Sequence, residues 1–131
     1  MNKLTKICAA SALVFASNHS FAADVTITIQ NLTQGMYFTP IAAVAHTPDT
    51  SLFEVGEEDS PEIQEMAEGV SLAGLTTLAT SISADVLSEP TAGPLGPTES
   101  VSGAFMTSDG NTVLSVVAMI SPSNDGFIGL G

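Results

Sequence analysis

The C-terminal stretch Met119-Ile120-Ser121-Pro122-Ser123-Asn124-Asp125-Gly126-Phe127-Ile128-Gly129-Leu130-Gly131 decides the fold prediction. Residues 113–120 form an apolar run that leads into a polar segment, residues 121–126, built from turn-forming Ser, Pro, Asn and Gly. A second apolar run, residues 127–130, follows directly. The pattern predicts a strand, a loop with Asp125 as its one carboxylate, and a second, short strand.

Three other segments also have strand character. Residues 24–30 alternate β-branched apolar residues with Thr and Gln, which predicts a strand with one buried face. Residues 36–45 form an apolar run interrupted by Pro40, which predicts an edge, a bulge or a break there. Residues 100–107 and 112–120 flank Asp109-Gly110, a favoured tight-turn pair, so we expect them to form a hairpin. Because residues 113–120 are apolar on both faces, that strand is expected to be central.

One short helix is predicted over residues 61–68. Ser60 is a suitable N-cap, Pro61 suits the first helical position, and Gly69 is a suitable stop. The expected apolar face consists of Ile63, Met66 and Ala67. Residues 70–86 are ambiguous, because a helical apolar stripe competes with many Thr and Ser residues; we favour a loose helix there. Residues 87–98, rich in Pro and Gly, are expected to form a surface loop.

The N-terminal segment has the features of a secretory signal peptide. Lys3 and Lys6 precede the apolar residues 7–16, and Ser20-Phe21-Ala22 places small residues at the cleavage positions. The competing interpretation is a buried N-terminal helix, but helix caps are missing. We therefore expect a signal peptide over residues 1–22, a single domain of 131 − 22 = 109 residues over 23–131, and a secreted or periplasmic location.

Charge excludes two classes of partner. Both basic residues lie in the predicted signal peptide, whereas all 14 acidic residues lie at Asp24 or later. A chain with no Lys or Arg beyond Lys6 cannot neutralise phosphates, so nucleic acid and anionic membrane surfaces are not expected as partners. Between Glu54 and Glu68, seven of fifteen residues are acidic. We interpret this run as a solvated face; a weak divalent-cation surface or adaptation to a salty medium are the alternatives.

No catalytic motif is recognisable. Cys8 lies in the predicted signal peptide, and His46 is the one histidine after it. Without a Gly-x-Ser-x-Gly elbow or another local signature, a Ser-His-Asp set would be arbitrary, so the sequence predicts a protein that is not an enzyme. His46 is expected to be a loop residue or a hydrogen-bonded side chain. The methionines after residue 22, namely Met36, Met66, Met106 and Met119, are expected in the core.

Two parts of the chain resemble the spondin domain family (F-spondin N-terminal type). One is the Ser121-Pro122-Ser123-Asn124-Asp125 loop followed by an apolar-Gly-apolar strand. The other runs from Phe38-Thr39-Pro40-Ile41 through Ala45-His46 to Leu52-Phe53-Glu54-Val55-Gly56. The resemblance implies a mainly β protein, an antiparallel β-sandwich of spondin type with one short helix. It also implies a non-catalytic binding or adhesion role outside the cytoplasm, with an extracellular or cell-surface ligand.

The resemblance further implies that Asp125 is a calcium ligand; a turn-capping role is the alternative. The family's other calcium carboxylates come from a later Asp-Ala-Gly-Thr-type segment, so we expect calcium to bind this chain weakly or not at all. For the same reason the domain is expected to be incomplete at its C-terminal end. A structural or surface-assembly subunit completed by strand addition from another chain is the main rival function. An extracytoplasmic enzyme is the second.

Overall fold

The computed structural model describes residues 22–131, so the predicted signal peptide lies outside the described residues except for Ala22. The described chain contains six strands and two helices, which confirms the mainly β prediction. In chain order these are β1 (Ala23–Gln30), β2 (Tyr37–His46), α1 (Pro61–Gly69), α2 (Ala73–Ser81), β3 (Asp85–Ser88), β4 (Ser100–Thr107), β5 (Val113–Ser121) and β6 (Phe127–Leu130). All strand pairs are antiparallel.

The strands form two sheets of unequal width. One sheet contains β1 and β4, and the other has the order β3-β2-β5-β6. β5 is therefore a central strand, as its two apolar faces predicted. One of its faces packs with Phe38, Ile41 and Leu95 toward the two-stranded sheet, where Ile29 and Val101 contribute. The other face contributes Val117 and Met119 to a cluster with both helices.

The predicted hairpin between residues 100–107 and 112–120 is wrong. β4 pairs with β1 along its full length, from Ala23 opposite Thr107 to Gln30 opposite Ser100. The turn between β4 and β5 does form, with Gly110 at φ +92°, but it carries the chain from one sheet to the other. The reason is the number of faces that each strand buries. β1 and β4 each bury one face. β5 has two apolar faces, so it takes a central place in the four-stranded sheet, which packs against the helices on one side and the two-stranded sheet on the other.

Pro40 interrupts the pairing of β2 with β5, as its missing N–H predicts. The register shifts between Phe38 and Ile41, and regular pairing resumes from Ile41 opposite Ala118. On the side of β2 away from β5, the Phe38 N–H donates to the Leu95 carbonyl at 3.1 Å, and the Leu95 N–H donates to the Phe38 carbonyl at 3.0 Å. The surface-loop prediction for residues 87–98 therefore fails at Leu95, which is buried, and at residues 87–88, which belong to β3.

Helix α1 follows the prediction closely. Ser60 caps it by accepting a hydrogen bond from the Ile63 backbone N–H at 3.3 Å, and Ile63, Met66 and Ala67 are buried. The predicted stop is displaced by one residue: Gly69 is helical, and Val70 adopts the left-handed conformation with φ +54°.

A second helix, α2, lies within residues 70–86, which confirms the helix favoured there; the fold-class expectation of one short helix therefore becomes two. Its threonine hydroxyls donate to the carbonyl four residues earlier, Thr76 to Leu72, Thr77 to Ala73 and Thr80 to Thr76, each at 2.9 Å. This back-bonding satisfies the hydroxyls without breaking the helix. Leu75 and Ala79 supply the buried face that holds it against the wide sheet.

Candidate ligand-binding end of the sandwich

Asp125 lies in the loop between β5 and β6, where the sequence places it. The loop is held by the Ser123 hydroxyl, which donates to the Ile120 carbonyl and accepts from the Gly126 backbone N–H at 3.0 Å. The Ile120 N–H donates to the Gly126 carbonyl at 2.8 Å, which closes the loop. The Asp125 side chain is exposed at the tip. Its carboxylate can therefore reach a solvent cation or a ligand without any rearrangement.

The surroundings of Asp125 offer it few anionic neighbours. Within residues 22–131, no group of three or more His, Cys, Asp and Glu side chains could hold a metal ion together. Calcium prefers six to eight oxygen ligands, and carbonyl oxygens and water are acceptable to it. Asp125 fits calcium as one ligand of such a set and no more.

A second loop emerges beside the Asp125 loop. Tyr37 at the start of β2 pairs with Ser121 at the end of β5, so the segments before Tyr37 and after Ser121 leave the same end of the sheet. This second segment, residues 31–37, exposes three large apolar side chains: Leu32, Met36 and Tyr37 are 79%, 47% and 44% exposed. We call it the apolar loop. The prediction that Met36 and Met106 belong to the core is wrong, whereas Met66 and Met119 are buried.

Asn31 fixes the apolar loop from within. Its side chain is fully buried, and its Nδ2 donates to the carbonyls of Met36 at 2.7 Å and Leu95 at 2.9 Å. Its Oδ1 accepts from the Thr33 backbone N–H at 2.9 Å and the Thr33 hydroxyl at 2.7 Å. Four hydrogen bonds to one buried amide use its full capacity, so the loop's shape is set before any ligand arrives.

A third segment, residues 95–99, supports the same end. The Asn31 N–H donates to the Glu99 carbonyl at 2.9 Å, and the Thr98 N–H donates to the Asn31 carbonyl at 2.8 Å. The Glu99 side chain accepts from the Gly96 N–H at 2.7 Å. Sequence reasoning did not identify this site beyond Asp125. The signal available was Asn31-Leu32-Thr33, an Asx-turn pattern with an apolar residue at its tip.

His46 lies inside the domain, and the alternative of a hydrogen-bonded side chain is confirmed. Its Nδ1 donates to the Thr47 carbonyl at 2.9 Å, and its Nε2 then accepts from the Ser115 hydroxyl at 2.8 Å. Both side chains are 2% exposed. A Ser–His pair at this depth cannot meet a substrate. The hydrogen bond resembles that between a nucleophile and its base, but neither side chain is accessible from solvent.

The two stretches that carry the resemblance meet at Gly129 and Phe53. Gly129 in β6 faces the ring of Phe53, and a Cβ at this position would lie 2.5 Å from Phe53 Cζ. Phe53 also meets Phe127 edge to face, with centroids 6.0 Å apart and an interplanar angle of 80°. The segment around Phe53 is thus packed on the strand that follows the Asp125 loop. The two stretches that carry the resemblance are in contact in the folded chain.

One comparison with known proteins identifies a family for this chain. The family model described as Spondin_N, the spondin N-terminal domain, matches residues 17–131. No curated protein and no solved structure shows significant similarity to the chain. None of the helices in residues 22–131 is long and apolar enough to cross a membrane. The match covers most of the chain, and the protein belongs to the spondin N-terminal domain family.

Proposed function

We propose that this protein is a secreted, non-catalytic binding or adhesion module whose ligand contacts the end formed by the apolar loop and the Asp125 loop. The observation that carries the proposal is the buried Asn31, which holds the backbone of the loop that exposes Leu32, Met36 and Tyr37. Large apolar residues on a pre-organised surface are typical of binding sites, because little entropy is lost when the ligand binds. Membership of an extracellular family of non-catalytic modules supports the same role.

Calcium assistance is part of this proposal. Asp125 would supply one carboxylate, and loop carbonyls and water would complete the shell. With one carboxylate, the affinity for calcium is expected to be low, and calcium would act chiefly by stiffening the β5–β6 loop beside Tyr37. The ligand itself is expected on a cell surface or in extracellular material, and not to be nucleic acid or an anionic membrane.

The experiment compares surface binding of matched variants. Fluorescently labelled purified protein is incubated with cells of the producing organism, and bound protein is measured by flow cytometry. Leu32→Ser and Met36→Ser should reduce binding strongly, because each removes an apolar contact from the apolar loop. Val55→Ser is the control, since Val55 is 95% exposed in a different region and its loss should have no effect. Equal binding by all three variants and wild type would refute the proposed site.

A subunit role in a surface assembly is the second candidate. It is favoured by one observation: β1 and β6 each have a neighbouring strand on one side only among residues 22–131. Free strand edges can pair with another chain. Size-exclusion chromatography with light scattering separates the two candidates, because defined oligomers favour the subunit and a monomer favours the binding module.

A further inference from the structure

We propose that Tyr37 and Glu99 together bind an arginine side chain of a partner protein. The guanidinium group stacks on the Tyr37 ring and donates hydrogen bonds to the Glu99 carboxylate. This inference rests on the proposed binding function, because both residues lie at the end of the domain that carries the apolar loop. It adds the chemistry of the partner, which the apolar loop alone does not define.

Tyr37 and Glu99 meet across Gly96. A Cβ built on Gly96 would lie 3.0 Å from Glu99 Oε2 and 3.3 Å from Tyr37 Cε1. Because residue 96 has no side chain, the aromatic ring and the carboxylate can approach the same point. Tyr37 is 44% exposed and Glu99 is also exposed, so both side chains can contact a ligand that arrives from solvent.

The Glu99 carboxylate is oriented by the turn to which it belongs. Its Oε2 accepts a hydrogen bond from the Gly96 N–H at 2.7 Å, and the Glu99 N–H donates to the Gly96 carbonyl at 3.1 Å. Within this turn Thr98 has φ +67°, a conformation that β-branched residues seldom adopt.

Asn31 holds the turn in this conformation. Its carbonyl accepts from the Thr98 N–H at 2.8 Å, and its N–H donates to the Glu99 carbonyl at 2.9 Å. A strained backbone that is maintained by its surroundings is typical of functional sites. The fixed position of Glu99 also means that little conformational entropy is lost when a ligand binds.

Glu99 lacks a basic side chain as partner in the part of the chain that the structure describes. Residues 22–131 contain 14 Asp and Glu residues and no Lys or Arg. The one histidine in this range, His46, is buried and hydrogen-bonded to Thr47 and Ser115. An acidic surface of this kind attracts and steers a basic partner.

The aromatic ring beside the carboxylate favours arginine over lysine. A guanidinium group is planar and weakly hydrated, so it can stack on the Tyr37 ring while its N–H groups donate to Glu99. A lysine ammonium is compact and strongly hydrated, and it would satisfy the carboxylate without stacking. The ring and the carboxylate together therefore specify arginine.

The neighbouring side chains define what should flank the arginine. Met36 precedes Tyr37 in sequence, and Leu32 follows the buried Asn31; they are 47% and 79% exposed. An arginine between apolar residues would therefore match this end of the domain. A second copy of residues 23–131 has no arginine to offer, so the partner is a different protein.

The test uses a defined peptide and the purified full-length protein. The probe is the peptide acetyl-Leu-Arg-Leu-amide, titrated into isotopically labelled protein while the amide chemical shifts are followed by NMR. One control peptide carries citrulline, the neutral analogue of arginine, and another carries lysine. We expect saturable shifts at residues 37 and 95–99, and binding at least about tenfold weaker for the citrulline peptide. The lysine peptide should lie between the two, and added salt should weaken the binding of the arginine peptide.

Matched variants separate the charge from the ring. Glu99→Gln keeps an oxygen that can accept from the Gly96 N–H and removes the charge, so binding should weaken about tenfold. Glu57→Gln is the control, because Glu57 is exposed in another loop and loses the same charge. Tyr37→Leu should weaken binding about threefold more than Tyr37→Phe, since only phenylalanine retains a ring. Melting curves check that every variant is folded.

Several outcomes would overturn the inference. These are the absence of binding at millimolar peptide, equal binding of the arginine and citrulline peptides, tighter binding of the lysine peptide, equal effects of Glu99→Gln and Glu57→Gln, or equal effects of the two Tyr37 variants. A lower melting temperature of Glu99→Gln, together with no peptide binding by wild type, would show that an internal cation occupies the site.

Failure of this inference can be told apart from failure of the proposed function. If cell binding through the apolar loop persists while the arginine peptide fails to bind, the proposed function stands and the arginine site falls. If Leu32→Ser leaves cell binding intact while the arginine peptide binds at Tyr37 and Glu99, the reverse holds.

Discussion

Asn111 donates a hydrogen bond from Nδ2 to Asp85 Oδ2 at 2.8 Å, and this contact fixes the point where the chain passes between the two sheets. Asn111 also donates to the Ser83 carbonyl at 2.9 Å. The Ser108 backbone N–H and hydroxyl donate to the same carboxylate. Asp85 therefore joins the start of β3 in the wide sheet to the turn that follows β4. The predicted hairpin fails at this turn, and Asp85 is the residue that stabilises the alternative path.

The Asp85 contacts predict a specific pH dependence. Burial acts to raise the pKa of Asp85, but the hydrogen bonds from Asn111 and Ser108 outweigh it and lower the pKa below its ordinary value of 3.8. A lowered folded-state pKa means that this contribution to stability is fully present above the ordinary value. It is lost as the pH falls through the lowered one. Thermal melting of wild type and Asp85→Asn should differ most at neutral pH and converge on strong acidification.

Asp109→Asn is the control for that measurement. Asp109 lies in the same turn and is exposed, and its substitution by Asn removes the same charge. We expect its melting temperature to stay close to wild type at neutral pH. A difference between wild type and Asp85→Asn that stays constant from neutral to acid pH would contradict the assigned role of the carboxylate.

Asn31→Ala should destabilise the domain and loosen the apolar loop. It removes the amide donor of the Leu95 and Met36 carbonyls and the acceptor of the Thr33 backbone N–H and hydroxyl, at a cost of about 3 kcal/mol for the set. Urea unfolding measures the change, with Gln30→Ala as control because Gln30 is the exposed neighbour on β1. The same variant should lose cell binding even under conditions where it is fully folded. Retained binding would show that the loop's fixed shape is not required.

Gly129→Ala should destabilise the β6–Phe53 contact. The added Cβ would overlap the Phe53 ring, and overpacking of this kind costs about 1–3 kcal/mol. Gly93→Ala is the matched control, since a Cβ there meets nothing within 4 Å. Chemical unfolding of both variants gives the comparison. If the two alanines have equal effects, Phe53 moves aside and the packing argument for this glycine is wrong.

Asp125→Asn tests the calcium proposal directly. Calcium at millimolar concentration should raise the melting temperature of wild type slightly, and the asparagine variant should not respond, because it has lost the one carboxylate of the loop. Asp109→Asn serves again as the control and should respond like wild type. Magnesium should have a smaller effect than calcium, since it demands a more regular shell. An equal response by both variants would end the metal assignment for the Asp125 loop.

The sequence alone was enough to place most of the secondary structure. The alternation in residues 24–30, the two-faced apolar run of residues 113–120 and the Ser60-Pro61 helix start each have a local cause, namely periodicity or capping. Such causes act within a few residues and survive in any surrounding fold. The family, too, was visible in two short stretches, and the contact of Phe53 with Gly129 explains why both are distinctive.

Only the tertiary structure decided which strands pair and which apolar side chains stay exposed. Asp109-Gly110 specified a turn, but a turn does not determine whether the next strand stays in the same sheet. That choice was made by the number of faces each strand must bury, and by Asp85, which lies more than twenty residues away in sequence from Ser108. The apolar loop and the buried Ser115–His46 pair likewise arise from contacts between distant segments. Local patterns carry no information about such contacts, because the energies that select them are those of packing across the whole domain.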